Sequence, residues 1–321
     1  MQGVVMTAVA LFLDLLLGDP ERWPHPVCGL GWVVSFWERR LYLPQGFEAR
    51  RRGALLCAVV LGTVGLAVGG ALLLAALIPM GLELLSLYWL YSALAWRSLK
   101  DLTRPVALSL LHGDLAAARS ALSRVVGRDT DRMDAPAVVR AAVETVSENA
   151  VDGVFSVLFY ALLGWLCGGA FGAAVGAWLF KAVNTLDSMV GYGDERYCDF
   201  GRAAARLDDG VNFLPARLGG PVMLLAGICL GYDGRRGLRV FLRDRKKHKS
   251  PNSAHGESVA AGLLGIRLGG GGCYRGVYEE KPWLGDETRP PEPEDILRAH
   301  ELLDASTALF ALLVMAAMAA W

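Results

Sequence analysis

Long stretches without a charged residue constrain this chain more than any other feature. Residues 53–82, 153–180 and 305–321 contain no Asp, Glu, Lys or Arg. A helix of about 20 apolar residues crosses the hydrocarbon core of a bilayer. The first two runs exceed that length and the third nearly reaches it. The sequence therefore predicts an integral membrane protein.

Composition argues against several other classes of protein. The 32 Lys and Arg balance the 32 Asp and Glu, so no basic excess points to a nucleic-acid partner. The six cysteines form no CxxC pair, and we interpret them as small apolar residues rather than a disulfide or zinc framework. The N-terminal apolar run has no basic segment before it and is interrupted by Asp14, which is not typical of a signal peptide.

The apolar runs predict an all-α, polytopic helical membrane protein. The expected helices are a short first helix at 4–17, two membrane helices within 53–96 broken near Pro79, a span at 153–180 and a last helix at 302–321. The apolar run at 218–232 is short for a span and could be re-entrant. Between the runs, Asp114 predicts a helix start before Leu115–Val126. Asp134, followed by Pro136, predicts a second start before a helix to about Asn149.

All Lys and Arg lie in the polar connections, which we take as 18–52, 97–150, 181–217 and 233–301. Positive charge beside membrane helices marks the cytoplasmic side. We therefore expect a single membrane-embedded domain, residues 1–321, whose polar segments form one active-site face towards the cytoplasm. Simple alternation of spans cannot put all four segments there, so some apolar runs are expected to be re-entrant.

Acidic and amide residues concentrate where the apolar runs end. Glu144, Glu148 and Asp152 share one face if the helix continues, which favours a site for a divalent cation or a cationic ligand; a solvated helix face is the alternative. Lys181, Asn184, Asp187 and Ser188 likewise share one side of a helix. Charges at membrane depth are usually functional, but Lys181 could also extend to the interface with Asp187 as its partner.

Two further segments have the composition of binding sites. Arg206, Asp208, Asp209 and Asn212 offer oxygen ligands that suit a hard cation, although Asp pairs also cap helices. The segment 248–252, His-Lys-Ser-Pro-Asn, closes a basic run and could be a phosphate-binding loop or a basic loop at the membrane surface.

Two other features indicate function less clearly. The glycine backbone at 269–272 could wrap a phosphate. His25 is a lone histidine, and such a residue is more often structural than functional. No GxSxG, HExxH or nucleotide-binding glycine motif is present. Spacing alone thus indicates a membrane enzyme or transporter with carboxylates, amides and a few cations, suited to magnesium–phosphate chemistry.

Ten strings in this sequence resemble the adenosylcobinamide-phosphate synthase family. They run in the family's order and are Leu17–Pro20, Pro24–Pro26, Gly127–Thr130, Glu148–Gly153, Asn184–Tyr192, Ala205–Asp209 with Asn212, Pro215–Arg217, His248–Asn252, Leu268–Gly270 and Lys281–Asp286. The chain departs from the family's pattern at Gly271 and Gly272 and in the segment 253–256.

The resemblance implies an ATP-dependent, ADP-forming amide ligase of cobalamin biosynthesis. Its substrates would be adenosylcobyric acid and (R)-1-amino-2-propanol phosphate, or ethanolamine phosphate in some lineages, and its product adenosylcobinamide phosphate. The implied cofactors are ATP and Mg²⁺. The implied location is the cytoplasmic (inner) membrane, with the lipid bilayer as a partner. No nucleic-acid partner is expected, and whether the protein forms a homo-oligomer is left open.

The resemblance also implies roles for residues of the matching strings. We expect catalytic roles for Lys181, Asp187, Arg206, Asp208 and Asp209. We expect Glu148, Asp152 and Asp187 to bind metal. The expected residues for binding substrate or ATP are Asp19, His25, Asn149, Asn184, Ser188, Tyr192, Asn212, Arg217, His248, Lys249, Ser250 and Asn252.

Two functions from other classes compete with the ligase. A membrane prenyltransferase that binds magnesium diphosphate would fit the motifs Asn149-x-x-Asp152 and Asn184-x-x-Asp187, which flank the run 153–180. A transporter for a corrinoid or an anion would explain the same two motifs as a repeat. ATP consumption separates the ligase from both, since a prenyltransferase uses no ATP and a transporter forms no amide bond.

Overall fold

The computed structural model describes residues 1–19, 25–274 and 276–321. In these residues the chain is almost entirely helical, which confirms the predicted all-α class. The helices are α1 (Gln2–Leu17), α2 (Pro26–Leu41), α3 (Phe47–Ala75), α4 (Gly81–Ala93), α5 (Trp96–Leu111), α6 (Leu115–Ser123), α7 (Ala135–Ala150), α8 (Ser156–Val190), α9 (Arg202–Val211), α10 (Phe213–Cys229), α11 (Gly234–Asp244), α12 (Ser253–Leu264) and α13 (Glu294–Ala320). A π-helical turn, Val151–Phe155, joins α7 to α8, and β1 (Gly272–Tyr274) pairs antiparallel with β2 (Val277–Glu279).

Three helical segments in the described part of the chain are long and apolar enough to cross a membrane. They are Phe47–Ala75, Ala135–Val190 and Glu294–Ala320, and a fourth results if α9 and α10 count as one broken span. These segments make the chain a multi-pass membrane protein. The prediction of two membrane helices within 53–96 is wrong for the second one, because α4 has 13 residues and is too short to span a bilayer alone.

The chain divides into two compact units. Unit 1 comprises Met1–Ala95, Ser156–Asn212 and Ala311–Trp321, and unit 2 comprises Trp96–Phe155 and Phe213–Phe310. The single membrane-embedded domain with one active-site face stays a prediction. Of the predicted connection 18–52, residues 26–41 form the helix α2, and Pro20 and Pro24 of the first matching strings lie outside the described residues.

Within unit 1, helix α8 is a hairpin rather than one straight span. Gly168 and Gly169 have non-helical backbone angles, and the φ of Gly169 is +58°. The two arms, 156–167 and 170–190, touch through glycine: a Cβ atom on Gly164 would lie 2.0 Å from the carbonyl oxygen of Gly172. The span predicted at 153–180 is therefore not one continuous helix, because a glycine with positive φ reverses the chain inside the apolar run.

Other contacts in unit 1 join the hairpin to α4 and the first helix to the end of α13. The indole nitrogen of Trp178 on α8 donates a hydrogen bond to the carbonyl of Trp89 on α4 at 2.7 Å, and the two rings lie 4.9 Å apart. The Thr7 hydroxyl of α1 lies 3.4 Å from the Met318 sulfur near the C-terminus. The Trp178 indole nitrogen and the Thr7 hydroxyl therefore have polar partners although their surroundings are apolar.

In unit 2, the helices α6 and α7 begin where the sequence predicts. Asp114 accepts a hydrogen bond from the Ala117 amide and Asp134 from the Ala137 amide, both at 2.8 Å, so each aspartate caps its helix. Helix α6 ends at Ser123, three residues before the predicted end. The π-helical turn starts at Val151, so the continuous α-helix assumed for the stripe of Glu144, Glu148 and Asp152 is interrupted before Asp152.

Candidate functional site

Helices α7 and α12 approach each other closely where unit 2 buries charged side chains. A Cβ atom on Gly256 would lie 2.4 Å from the carbonyl oxygen of Ser147, so only glycine allows the two backbones to come this near. The neighbouring residue on α12, Glu257, is only 4% exposed. Glu144 on α7 is also 4% exposed, and Glu148 lies one turn further along the same helix.

Glu144 is fully engaged by two partners. Its Oε2 accepts a hydrogen bond from Arg128 at 2.5 Å, and its Oε1 accepts one from the backbone amide of Gly269 at 2.7 Å. The φ of Gly269 is +86°, and a Cβ atom there would lie 2.3 Å from the carbonyl oxygen of Pro282. The first glycine of the segment 269–272 therefore serves close backbone packing and presents its amide to Glu144.

Glu257 lies among other charged groups. Burial and the neighbouring carboxyls of Glu148 and Glu144 raise the pKa of Glu257 well above its usual range. Burial works against the positive charge of Lys281, but Tyr274, Glu148 and Glu257 raise the pKa of Lys281 overall. We call Glu144, Glu148, Glu257, Arg128 and Lys281 the glutamate cluster.

His248 borders the glutamate cluster from the predicted loop. Its Nδ1 lies 3.2 Å from the Ser253 hydroxyl, and its Nε2 lies 3.7 Å from Oε2 of Glu257. Burial, assisted by the positive charge of Lys281, lowers the pKa of His248. The imidazole is therefore neutral at pH 7 and can accept a hydrogen bond.

The rest of the loop 248–252 divides into buried and exposed residues. Asn252 is 5% exposed, and its side-chain oxygen accepts a hydrogen bond from Arg217 at 3.2 Å. The Ser250 hydroxyl accepts one from the Asn252 amide at 3.3 Å, whereas the Lys249 side chain is exposed. Arg217 and Asn252 are thus in contact within unit 2. Asn149, also of unit 2, donates to the carbonyl of Thr145 at 2.9 Å within α7.

The remaining predicted residues belong to unit 1, and the first group lies at the end of α8. Lys181, Asn184 and Asp187 are half-buried, and Ser188 is exposed. A Cβ atom on Gly191 would lie 2.0 Å from Oδ1 of Asp187, so the carboxylate lies directly over the glycine backbone. The Ser188 hydroxyl donates to the carbonyl of Asn184 at 2.9 Å. Tyr192, just beyond the helix, is 47% exposed.

The second group of unit 1 centres on Asn212, which is 1% exposed. Its amide nitrogen donates to Oδ2 of Asp208 at 3.0 Å, and its oxygen accepts from the Ser156 hydroxyl at 2.6 Å. Asn212 therefore links the start of α8 to α9. On α9, Arg206 is exposed and Asp209 is half-buried.

At the start of α2, His25 has a structural role. Its Nδ1 accepts a hydrogen bond from the Val27 amide at 3.2 Å and caps the helix, while its Nε2 lies 3.1 Å from Asp19. This arrangement agrees with the structural interpretation of a lone histidine. Whether Asp19 and His25 also bind substrate stays a prediction.

Sequence reasoning did not select several members of the glutamate cluster as site residues. Glu257, Arg128 and Lys281 were not predicted, and Glu144 was noted only as part of a stripe. Arg128 and Lys281 lie inside the matching strings 127–130 and 281–286. Glu257 had a signal of its own, because a lone carboxylate in the apolar segment 253–264 is costly to bury and is often functional.

The described residues contain no group of three or more His, Cys, Asp and Glu side chains arranged to hold one metal ion. Mg²⁺ commonly binds proteins through one or two carboxylates together with substrate phosphates. The carboxylates at Glu148, Asp152 and Asp187 are the oxygen ligands that such an ion prefers. Their donor chemistry fits Mg²⁺, and metal binding by these residues stays a prediction.

Fold and site together define a helical, multi-pass membrane protein with a buried cluster of carboxylates and cations. The family model described as CobD/Cbib protein matches residues 7–303. The chain therefore belongs to the CobD/CbiB family. No solved structure matches it.

Relatives of the chain carry consistent names. "Cobalamin biosynthesis protein CobD" of Desulfotalea psychrophila is 41% identical over 315 residues, covering 96% of this chain and 95% of the relative. The protein of the same name from Yersinia enterocolitica is 44% identical over 311 residues, covering 96% and 95%. "Cobalamin biosynthesis protein CbiB" of Salmonella typhimurium is 42% identical over 320 residues, covering 98% and 97%.

Proposed function

We propose that this protein acts in cobalamin biosynthesis as an ATP-dependent amide ligase. It joins adenosylcobyric acid to (R)-1-amino-2-propanol phosphate, or to ethanolamine phosphate, and releases adenosylcobinamide phosphate, ADP and phosphate. The observation that carries the proposal is the near full-length match to relatives named for cobalamin biosynthesis. That name favours the ligase over a prenyltransferase.

The chemistry requires activation of the acid. A carboxylate does not react with an amine at neutral pH, so ATP first converts the propionate of the corrinoid into an acyl phosphate. The amine then attacks the acyl carbon. Positioning and charge stabilisation provide most of the catalysis in such phosphoryl transfers. The polar residues described above include both carboxylates and cations that suit these steps.

We assign the residues as follows. Glu148, Asp152 and Asp187 are candidate ligands for Mg²⁺, which would neutralise charge on the phosphates of ATP. Lys181, Arg206, Arg217 and Lys249 are candidates for contacting the phosphates of ATP or of the aminoalcohol, since charge-assisted hydrogen bonds favour phosphate. Asp208 and Asp209 complete the candidate catalytic set.

We place the enzyme in the cytoplasmic membrane with its site towards the cytoplasm. The support is the distribution of charge, because all Lys and Arg lie outside the long apolar runs. ATP and the aminoalcohol phosphate are polar cytoplasmic metabolites, so this orientation gives them access without transport.

The decisive experiment uses the purified protein in detergent or nanodiscs. Adenosylcobyric acid, aminopropanol phosphate, ATP and Mg²⁺ are supplied together, and products are identified by mass spectrometry. We expect adenosylcobinamide phosphate and stoichiometric ADP, and neither when ATP is omitted. Corrinoid movement across vesicles without amide formation would instead identify a transporter. Asp152→Asn and Asp187→Asn should each abolish ligation in correctly folded protein.

A further inference from the structure

Charge within the glutamate cluster is unbalanced. It holds three carboxyl groups, from Glu144, Glu148 and Glu257, against two cations, Arg128 and Lys281. Arg128 is committed to Glu144 by a direct hydrogen bond. Ionising all three carboxyls with His248 neutral would leave one negative charge, and burial together with this excess raises the pKa of Glu257. The cluster is therefore suited to one further positive charge.

The geometry of His248 independently indicates a missing hydrogen-bond donor. Its side chain is only 9% exposed, its Nδ1 is engaged with Ser253, and its Nε2 has no hydrogen-bond partner among the described residues. Nε2 is directed at Glu257, but 3.7 Å is too long for a hydrogen bond. Buried polar atoms nearly always have a partner, so a ligand that donates here would satisfy both groups.

A primary ammonium meets both requirements. It carries one positive charge and three N–H donors, so it can donate to both Glu257 and Nε2 of His248. A metal ion fits less well, because no group of three metal-binding side chains forms in the described part of the chain. The cation with this chemistry in the proposed reaction is the aminoalcohol phosphate.

We propose that Glu257 and His248 bind the ammonium group of the aminoalcohol phosphate and that Glu257 accepts its proton. This inference rests on the proposed ligase function and assigns the amine subsite to unit 2. It makes Glu257 a catalytic residue, and His248 a binding residue whose Nε2 accepts a hydrogen bond from the same nitrogen.

The proton balance of the step is complete. R–NH₃⁺ gives one proton to the Glu257 carboxylate and becomes R–NH₂. The nitrogen lone pair attacks the acyl phosphate carbon, the C–N bond forms, and the C–O bond to phosphate breaks with its electron pair. The second proton leaves the nitrogen with the phosphate as HPO₄²⁻, and Glu257 returns its proton to solvent.

The surroundings of Glu257 suit this task. Its burial beside Glu148 and Glu144 raises the pKa of Glu257 and so strengthens its carboxylate as a proton acceptor. Lys281 and Arg128 act in the opposite direction but do not outweigh burial and the neighbouring carboxyls. A general base is most effective when its pKa approaches the working pH.

The test compares two nucleophiles in Glu257→Gln, with Glu280→Gln as the control at an exposed glutamate. Hydroxylamine is largely unprotonated at neutral pH and traps an acyl phosphate without a general base. Glu257→Gln should lose about 100-fold or more of the ligation rate with aminopropanol phosphate, as is typical when a general base is removed. It should still form the hydroxamate with hydroxylamine and ATP, which also shows that it is folded.

Each outcome decides one point. Loss of both amide and hydroxamate formation, or normal ligation, in Glu257→Gln would overturn the amine subsite. His248→Phe should raise the KM for aminopropanol phosphate and leave hydroxamate formation intact; an unchanged KM would remove His248 from the subsite. If the wild-type protein forms neither product nor ADP, the ligase function itself is wrong.

Discussion

Arg128 and Glu144 form a buried ion pair in unit 2, with side chains only 11% and 6% exposed. A buried pair contributes little net stability when intact, because both charges have lost their hydration. Removing one partner is different, since the other charge then stays buried without compensation. Arg128 is separated from Glu144 by 16 positions in sequence, so the pair also fixes the loop after α6 against α7.

Arg128→Met should therefore lower stability by about 3–5 kcal/mol. The expected observation is a lower thermal midpoint of the purified protein. Arg124→Met, at an exposed arginine four positions earlier, is the matched control and should leave the midpoint unchanged. Adding Glu144→Gln to Arg128→Met should recover part of the loss. Equal midpoints for Arg128→Met and the control would contradict a structural role for the pair.

Gly256→Ala should separate α7 from α12. A methyl group at this position would lie 2.4 Å from the Ser147 carbonyl oxygen, which is backbone and cannot move aside cheaply. We expect lower thermal stability and lower ligation activity, because the shift also moves Glu257. Gly62→Ala, on α3 with nothing within 4 Å of the added atom, should be neutral or stabilising. A Gly256→Ala protein that matched Gly62→Ala would show that the close approach is dispensable.

Native cysteines report on the α8 hairpin. Cys167 precedes the turn at Gly168, and Cys198 follows the second arm; both are exposed. The arm 170–190 is about 31 Å long at 1.5 Å per residue, which matches the roughly 30 Å hydrocarbon core. In single-cysteine proteins in intact cells, a membrane-impermeant maleimide should label Cys167 from outside and Cys198 only after permeabilisation. Labelling of both from one side would mean that the hairpin does not cross the bilayer.

Asp244 predicts a dependence of stability on pH. Burial favours its neutral form, but hydrogen bonds from Arg243, Lys247 and the Gly285 amide lower the pKa of Asp244 to about 2. Because this value lies below the ordinary 3.8, the stabilisation is complete above pH 3.8 and is lost as the pH falls towards about 2. Thermal midpoints measured across this window should fall in the wild-type protein.

The substitution Asp244→Asn tests whether Asp244 causes the loss of stability at low pH. The variant should be less stable at neutral pH, since the amide cannot accept from all three donors, and its midpoint should change less between pH 3.8 and about 2. Asp131→Asn, at an exposed aspartate, should keep the wild-type dependence on pH. An unaltered acid profile in Asp244→Asn would assign the transition to other carboxyls.

Local signals in the sequence predicted local structure well. Asp114 and Asp134 were expected to cap helices, and both do, because capping depends on residues three positions away. The hairpin in α8 was not predicted. Its turn lies inside an uninterrupted apolar run, where Gly168 and Gly169 are indistinguishable by composition from the many glycines that stay helical.

The candidate site was predictable only in part. Arg217 and Asn252 were selected from sequence and form a hydrogen bond in unit 2. The glutamate cluster was missed because its members come from positions 128, 144, 148, 257 and 281, and only tertiary packing brings them together. The Asn212 side chain hydrogen-bonds to both Ser156 and Asp208. Its spacing from the residues of α9 could not indicate the contact with Ser156.

The glycine turn of α8 has a consequence for biogenesis. The segment between its two arms contains no charged residue, so no polar loop has to be carried through the lipid when the segment enters the membrane. The first arm, 156–167, is about 18 Å long and too short to act alone as a stop signal for the insertion machinery. Both arms should therefore be inserted together as a pre-paired unit, after the second arm has left the ribosome.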